Sequence, residues 1–337
     1  MSNKKYLFTT GGSGGHVYPA LAIAQQFPKK NCLFFIKKNR QSHTIIKQHN
    51  YPHFCLISKN IVFLFFFELF KIIKFLKKIP SYCLVSSGGS DTIIVVLAAW
   101  LLNIPIILLE QNTIPGRANR FLKYFATHIF ISFESSKKFF PTHKTTLSGN
   151  PVFESIKNNE EKPLNIPQNK YPTILVFGGS QGAHFFNNTF IQAYKTILNK
   201  GYNLILITGK NYNHSLKTMT QYSNKFFLII KYCNNMKTLY KYANFIISRA
   251  GATSISEFIY FKKKAILIPF PHAKDNHQFF NAKEASRYCS INYITQNNFN
   301  LNDLFEKLNI LKDPNLNQTN QALTIILEKI HFFSMKG

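Results

Sequence analysis

The stretch KYLFTTGGSGGH at residues 5–16 has a counterpart in TILVFGGSQGAH at 173–184. Each runs from a short apolar strand into a glycine-rich turn, with alanines and large apolar residues at helical spacing behind it. A strand delivered by a tight turn into a helix opens a βα unit, and a chain that carries it twice predicts two α/β lobes in tandem. The length of 337 residues fits this reading, since domains usually hold roughly 100–150 residues.

Further apolar strands are expected in the first lobe at CLFFIK (32–37), FCLISK (54–59), YCLVSSGG (82–89), IPIILLEQN (104–112) and HIFISF (128–133). The second lobe has NLILITG (203–209), KFFLII (225–230), FIISRAGATSISE (245–257) and AILIPFP (265–271). Such runs alternating with helical patterns predict parallel sheets. The polar run FESIKNNEEKPLNIPQNKYP at 153–172 reads as the linker. The expected division is therefore 1–155, 156–320 and a C-terminal helix over 321–337. Parallel strands bring their C-terminal ends to one edge of a sheet, where ligands usually bind. Every short polar motif follows such a strand, and two lobes with their loops facing each other would enclose a cleft.

Glycines at 11, 12, 14 and 15 let the backbone turn tightly and present N–H groups at a helix N-terminus, a good place for a diphosphate. The acidic residue of a dinucleotide fingerprint is missing from the following stretch of Gln, Lys and Asn, and no GKS or GKT completes a Walker loop. His16 at the top of the helix is kept neutral by the dipole and can act as a general base, with a capping role as the rival. The second turn offers Ser180 and Gln181 to a phosphate or its attached group. In SRAGATSISE, Glu257 lies one turn beyond Thr253 and Ser254, placed either to accept two vicinal hydroxyls or to serve a capping box. PFPHAKDNHQFFNA at 269–282 gathers Asp275, Asn276, His277, Gln278 and Asn281, a cluster suited to reading a sugar. His272 and His277 lack a third ligand nearby, so no metal is expected. EQNTIPGRANR at 110–120 places Glu110, Gln111 and Asn112 at a strand end before a helix carrying Asn119 and Arg120.

Lys+Arg number 41 against 14 Asp+Glu, a formal charge of +27. A nucleic acid, an anionic membrane or a phosphorylated substrate would all suit that excess. The lysines are scattered, however, and no nucleic-acid-binding motif appears. The five cysteines are far apart without metal or redox spacing, as in a reducing compartment. The N-terminus lacks the apolar core of a secretion signal, and the apolar runs are interrupted or too short to span a bilayer. In IVFLFFFELFKIIKFLKKIP (61–80), Phe65, Leu69, Ile72, Leu76 and Ile79 line one side of a helix, with Phe75 beside them and lysines elsewhere. This is the pattern of an interfacial helix resting on an anionic membrane; a helix packed on the sheet is the rival reading.

In their order along nearly the whole chain, these motifs resemble the MurG family, the peptidoglycan glycosyltransferases of glycosyltransferase family 28. GGSGGHVYPALAIA, EQNTIPGRANR, GNPV (149–152), GGSQGA, SRAGATSISE and PFPHAKDNHQFFNA carry the likeness. The resemblance implies a two-lobed GT-B fold of two Rossmann-like lobes. It also implies metal-independent inverting transfer without a cofactor, at the cytoplasmic face of the bacterial inner membrane. The expected partners are UDP-N-acetylglucosamine and an undecaprenyl-linked muramyl-pentapeptide on an anionic membrane surface, with no nucleic acid.

By that likeness His16 is the base, removing the proton of the muramyl C4 hydroxyl. Gly12, Ser13, Gly14, Asn112, Ser180, Gln181, Tyr232, Cys233, the helix start from Ala252 through Thr253, Ser254, Ile255 and Ser256 to Glu257, and His277 with Gln278 would contact the donor. Gly15, Glu110 and Asn119 would lie on the acceptor side, and the C-terminal helix would return to the first lobe. Phe153 stands where the family usually has arginine, Ser90 where it has tyrosine and Leu109 where histidine is frequent. Lys210 or Arg249 would have to compensate for the missing arginine. The rival readings are a different GT-B transferase, a UDP-sugar epimerase of related fold, and a basic nucleic-acid-binding protein.

Overall fold

The computed structural model describes residues 4–57, 62–154, 166, 169–212, 225–233, 235–315 and 321–336. The chain divides into two compact units, Met1–Phe153 with Asn320–Gly337, and Glu154–Thr319. Most of the stretch read as a linker lies outside the described residues.

The first unit is built on a parallel sheet of β1 (Lys5–Thr9), β2 (Cys32–Lys37), β3 (His53–Leu56), β4 (Ser81–Ser86), β5 (Ile106–Glu110), β6 (His128–Ile131) and β7 (Thr145–Leu147). Their order is β3-β2-β1-β4-β5-β6-β7, so the sequence reverses direction across the sheet between β1 and β4. The helices are α1 (Gly14–Ala24), α2 (Gln41–Gln48), α3 (Val62–Leu76), α4 (Ile93–Leu101) and α5 (Arg117–Leu122), joined by α11 (Ala322–Lys336) from the end of the chain.

Both faces of this sheet are covered, which is why its strands are apolar at successive positions rather than at alternate ones. Successive side chains point to opposite faces. Tyr6, Phe8, Phe34 and Ile36 therefore meet Leu21 of α1, Ile45 of α2 and Ile326 and Ile330 of α11. Leu7, Phe35 and Leu84 meet Ile72 and Leu76 of α3 and Val95 and Ala99 of α4.

The second unit repeats the plan with β8 (Thr173–Phe177), β9 (Asn203–Ile207), β10 (Phe227–Ile230), β11 (Phe245–Ser248), β12 (Lys264–Leu267) and β13 (Ile291–Tyr293), all parallel, in the order β10-β9-β8-β11-β12-β13. Among the described residues its helices are α6 (His184–Asn199), α7 (Met236–Tyr242), α8 (Ala252–Tyr260), α9 (His277–Ala285) and α10 (Leu301–Ile310). Phe186 and Phe190 of α6 and Leu304 and Leu308 of α10 pack with Val176, Leu206 and Ile247 of the sheet.

The structure corrects the reading of α3. Ile72 and Leu76, expected to face lipid, are buried in the core, and Phe65, Leu69 and Phe75 are half-buried against it. Ile79 is half-buried just beyond the helix end. A stripe that packs on a sheet and a stripe that enters a membrane have the same helical period, and here the sheet takes it. Phe66, Phe67 and Phe70 of α3 are each more than 60% exposed.

This assignment fixes the order of two stability changes. Ile72→Ala should destabilise the protein by about 2–5 kcal/mol, whereas Phe70→Ala should stay within roughly 0.5 kcal/mol of the parent. Urea unfolding that gave the two variants equal losses would overturn this orientation of α3.

Candidate active site

In the first unit the loops following β1, β4 and β5 come together at the C-terminal edge of the sheet. β1 ends into Thr10–Ser13, and Ser13 is the extended residue that precedes α1. The Ser13 carbonyl accepts from the N–H groups of His16 and Val17 at 3.1 and 3.2 Å. Ser13 Oγ lies 2.9 Å from His16 Nδ1. A methyl group on Gly11 would sit 2.9 Å from the Gly88 carbonyl oxygen and 3.0 Å from His16 Nδ1. Gly89, at φ +98°, approaches Gly11 even more closely, since a side chain there would meet the Gly11 Cα at 2.6 Å. These glycines are thus required by the contact between two backbones as well as by the turn itself. Gly12 lies under the Arg40 side chain, Gly14 faces Tyr18, and Gly15 is exposed.

The loop after β5 is organised by Glu110. Its Oε1 accepts from the Asn112 backbone N–H at 2.9 Å and from Asn112 Nδ2 at 3.4 Å. Its Oε2 accepts from Gly116 N–H at 3.2 Å and Asn119 Nδ2 at 2.9 Å. Burial raises the Glu110 carboxyl above the usual range, and these donors oppose the shift. Asn119 also donates to the Leu109 carbonyl and abuts Gly88. Glu110 and Asn119, expected on the acceptor side, are both buried beneath the loop surface and hold its shape. Asn112 is half-buried and His16 keeps part of its surface exposed.

In the second unit the turn after β8 is pinned in the same way. Gly182, at φ +87°, and Gly209, at φ +90°, touch backbone to backbone, and a side chain on Gly182 would collide with the Thr208 carbonyl. The Ser180 carbonyl accepts from Lys210 N–H at 3.1 Å and the Gln181 carbonyl from Asn211 N–H at 3.3 Å. The Ser180 and Gln181 side chains are exposed above α6. Lys210 Nζ lies 4.0 Å from the centre of the Tyr232 ring. Cys233 is buried, with Sγ 3.3 Å from the Asn235 carbonyl.

Tyr240 of α7 donates a 2.6 Å hydrogen bond to Glu257 Oε2 on α8. Burial raises the Glu257 carboxyl to about 7, against the lowering effect of that bond. Thr253, Ser254 and Glu257 keep some exposed surface. Ala252, Ile255 and Ser256 do not, so their expected donor contacts cannot use the side chains. The Ser256 hydroxyl in fact closes on the Ala252 carbonyl at 3.0 Å.

Around α9, Gln278 Oε1 accepts from the Phe270 N–H at 3.0 Å and His277 Nδ1 lies 2.7 Å from the Lys274 carbonyl. Asn281 is fully buried and donates to the Ala250 carbonyl, so it braces the loop before α8. Asp275 and Asn276 are both left-handed, at φ +53° and +51°, giving the turn that aims α9. Arg249 is committed elsewhere. It donates to the Ile268 and Pro269 carbonyls and to Gln296 Oε1, with Phe186 beside the guanidinium.

Sequence reasoning missed Tyr240, because an aromatic residue inside a short helix gives no sign that its hydroxyl meets a carboxylate. The structural work of Gly88 and Gly89 had a signal in the SSGGS that follows β4.

The profile of the glycosyltransferase family 28 N-terminal domain matches residues 6–131, and that of the family 28 C-terminal domain matches residues 173–331. A protein of Sulfurihydrogenibium sp. (strain YO3AOP1) is 35% identical over 83% of this chain and 82% of its own length. One of Rickettsia felis is 32% identical over 95% and 94%. Both are named UDP-N-acetylglucosamine–N-acetylmuramyl-(pentapeptide) pyrophosphoryl-undecaprenol N-acetylglucosamine transferase. The crystal structure of Acinetobacter baumannii MurG superposes with a TM-score of 0.71 at 24% identity, covering 98% of each chain, a likeness of fold that agrees with two parallel-sheet units of the GT-B class. With both domain profiles matched and relatives this similar along most of its length, the chain belongs to glycosyltransferase family 28.

Proposed function

We propose that this protein transfers N-acetylglucosamine, with inversion, from UDP-N-acetylglucosamine to the C4 hydroxyl of the muramyl sugar in undecaprenyl-pyrophosphoryl-MurNAc-pentapeptide. The observation that carries the reading is the likeness, along most of the chain, to relatives named for this transfer. The chemistry available at each sheet edge supports it: a histidine beside a serine in the first unit, and a raised carboxylate and a glycine turn in the second.

His16 is the base on this reading. His16 Nδ1 pairs with Ser13 Oγ; with the Nδ1–H as donor, Nε2 would be the basic nitrogen. As the C4 oxygen attacks the anomeric carbon, Nε2 takes its proton, and the bond to the β-phosphate oxygen breaks. Backbone N–H groups of the 178–183 turn and the start of α6 would receive the charge of the departing diphosphate, with the Lys210 ammonium alongside. Glu257 would accept from the ribose hydroxyls, and Gln278 would offer its amide to the sugar.

The protein would work as a peripheral enzyme at the cytoplasmic face of the membrane. No helix among the described residues is long and apolar enough to cross one. Phe66, Phe67 and Phe70, exposed on one side of α3 and followed by Lys71, Lys74, Lys77 and Lys78, would meet the anionic surface. Each lysine near such a surface adds about 1 kcal/mol of attraction.

Transfer of labelled N-acetylglucosamine to a lipid-linked muramyl-pentapeptide analogue, in detergent with a chelator present, should give the inverted product. Replacing His16 by Ala should lower turnover by roughly 10²–10⁴-fold while leaving the unfolding curve in place. Full turnover by a folded H16A protein would remove His16 from the mechanism.

Glu257 must be ionised to accept from two hydroxyls. Because its carboxyl titrates near 7, affinity for UDP-N-acetylglucosamine should strengthen as pH rises from 6 to 8, a window chosen to straddle that value. Glu257→Gln should bind weakly and lose the slope; calorimetry that found the same slope in parent and variant would assign it to another group.

For the membrane face, Phe67→Glu with Phe70→Glu should reduce cosedimentation with phosphatidylglycerol vesicles without lowering turnover on a detergent-soluble acceptor. Unchanged vesicle binding would exclude this face of α3.

A further inference from the structure

Three side chains that the transfer reaction does not use converge at the outer edge of the first sheet. His53 and Cys55 are two residues apart on β3, so both project from the same face of that strand. Among the described residues β3 is the edge strand, paired with β2, with His53 opposite Phe34 and Cys55 opposite Ile36. Phe34 and Ile36 belong to the face on which α2 packs through Ile45 and Ile46. The first turn of α2 brings His43 over the same place, its ring 5.4 Å from that of His53 at an interplanar angle of 77°. One donor atom from each of His43, His53 and Cys55 lies within 4.8 Å of the others, and all three side chains are half-buried.

We propose that His43, His53 and Cys55 form a zinc site that fastens α2 to the edge strand, apart from the glycine turn and its chemistry. Two imidazoles and a thiolate are a donor set that zinc prefers, and three protein ligands leave a fourth position for water. Bonds of about 2.0–2.3 Å place tetrahedral ligands roughly 3.3–3.7 Å apart, so closing the triad takes side-chain adjustments of about 1 Å. His53 is already oriented for this. Its Nδ1 lies 3.0 Å from the Tyr51 carbonyl, as an Nδ1–H donor, which presents Nε2 to a metal. A backbone carbonyl in that role is the usual outer partner of a metal-bound histidine.

Lys38 and Lys47 act on His43 electrostatically. The thiolate formed when Cys55 releases its proton to solvent on binding supplies the offsetting negative charge. Zinc here would stiffen the support of the catalytic turn without touching substrate, because the start of α2 lies against that turn: Ser42 N–H donates to the Gly12 carbonyl at 3.3 Å and Arg40 covers Gly12.

The test is a titration of the full chain, stripped with chelator and desalted, with zinc ions and separately with cobalt ions as a spectroscopic reporter. One metal per chain is expected, with a sulfur-to-cobalt charge-transfer band and a higher melting temperature on adding zinc. Cys55→Ser should abolish the band, and His43→Asn, at a half-exposed position that leaves the thiol intact, should weaken zinc binding at least about tenfold. Cys289→Ser, at the exposed cysteine, should change neither. Absence of the charge-transfer band, or zinc affinity that is unchanged in both Cys55→Ser and His43→Asn, would overturn the proposal.

Discussion

Backbone meeting backbone at the carboxyl edge of each sheet is the constraint on which the sites depend. Gly11 against Gly89 in the first unit, and Gly182 against Gly209 in the second, come closer than any side chain allows. Each contact lies where neighbouring strands send their loops toward each other: β1 and β4 in one sheet, β8 and β9 in the other. The turn after each leading strand is therefore not a loose cap on a helix. It is held from the side, so the N–H groups and the following side chains have fixed directions before any ligand arrives, and that preorganisation is what charge stabilisation in a transition state requires. The position of His16 follows from it, since the ring lies against the same Gly11 that Gly89 touches.

Glu110 and Glu257 show how one residue type serves different ends. Burial raises both Glu110 and Glu257. Glu110 is answered by four donors from its own loop, Asn112 twice, Gly116 and Asn119, and is consumed in folding that loop. At the Glu257 carboxylate the Tyr240 hydroxyl donates, and the residue keeps surface to offer. In a chain with only 14 acidic residues, withdrawing a carboxylate from water is a considerable desolvation cost. The cost of Glu110 is offset within the fold. On the proposed reading the hydroxyls of the donor ribose offset part of that of Glu257.

The fold was legible because its signal is repeated. Strand, glycine turn and helix recur in both halves, and continuous apolar strands announce sheets covered on both sides. The glycine turns were legible for the same reason. What the sequence could not separate were cases where two environments demand the same pattern. The α3 stripe of Phe65, Leu69, Ile72 and Leu76 has the spacing either a membrane or a sheet would select, and only the position of Leu7, Phe35 and Leu84 across from it decides. Ile255 and Ser256 fall within a motif, and a motif does not say which of its residues turn inward. The His43, His53 and Cys55 cluster has no spacing signature at all, because a helix and an edge strand contribute to it through tertiary packing.

Phe153, where the resemblance calls for arginine, sits in a cluster of aromatic rings. Its ring lies 5.6 Å from Tyr18 and 5.0 Å from His49, against the core that also holds α1 and α11. Arg249 donates to two carbonyls and to Gln296. Lys210 lies beside the second turn, its backbone tied to Ser180 and its ammonium over Tyr232. An ammonium is a point charge without the planar fork that grips a phosphate in two places. On the proposed reading, the orientation of the diphosphate must then come mainly from the backbone N–H groups of the turn, and the rigidity imposed by Gly182 on Gly209 becomes the substitute for the lost arginine.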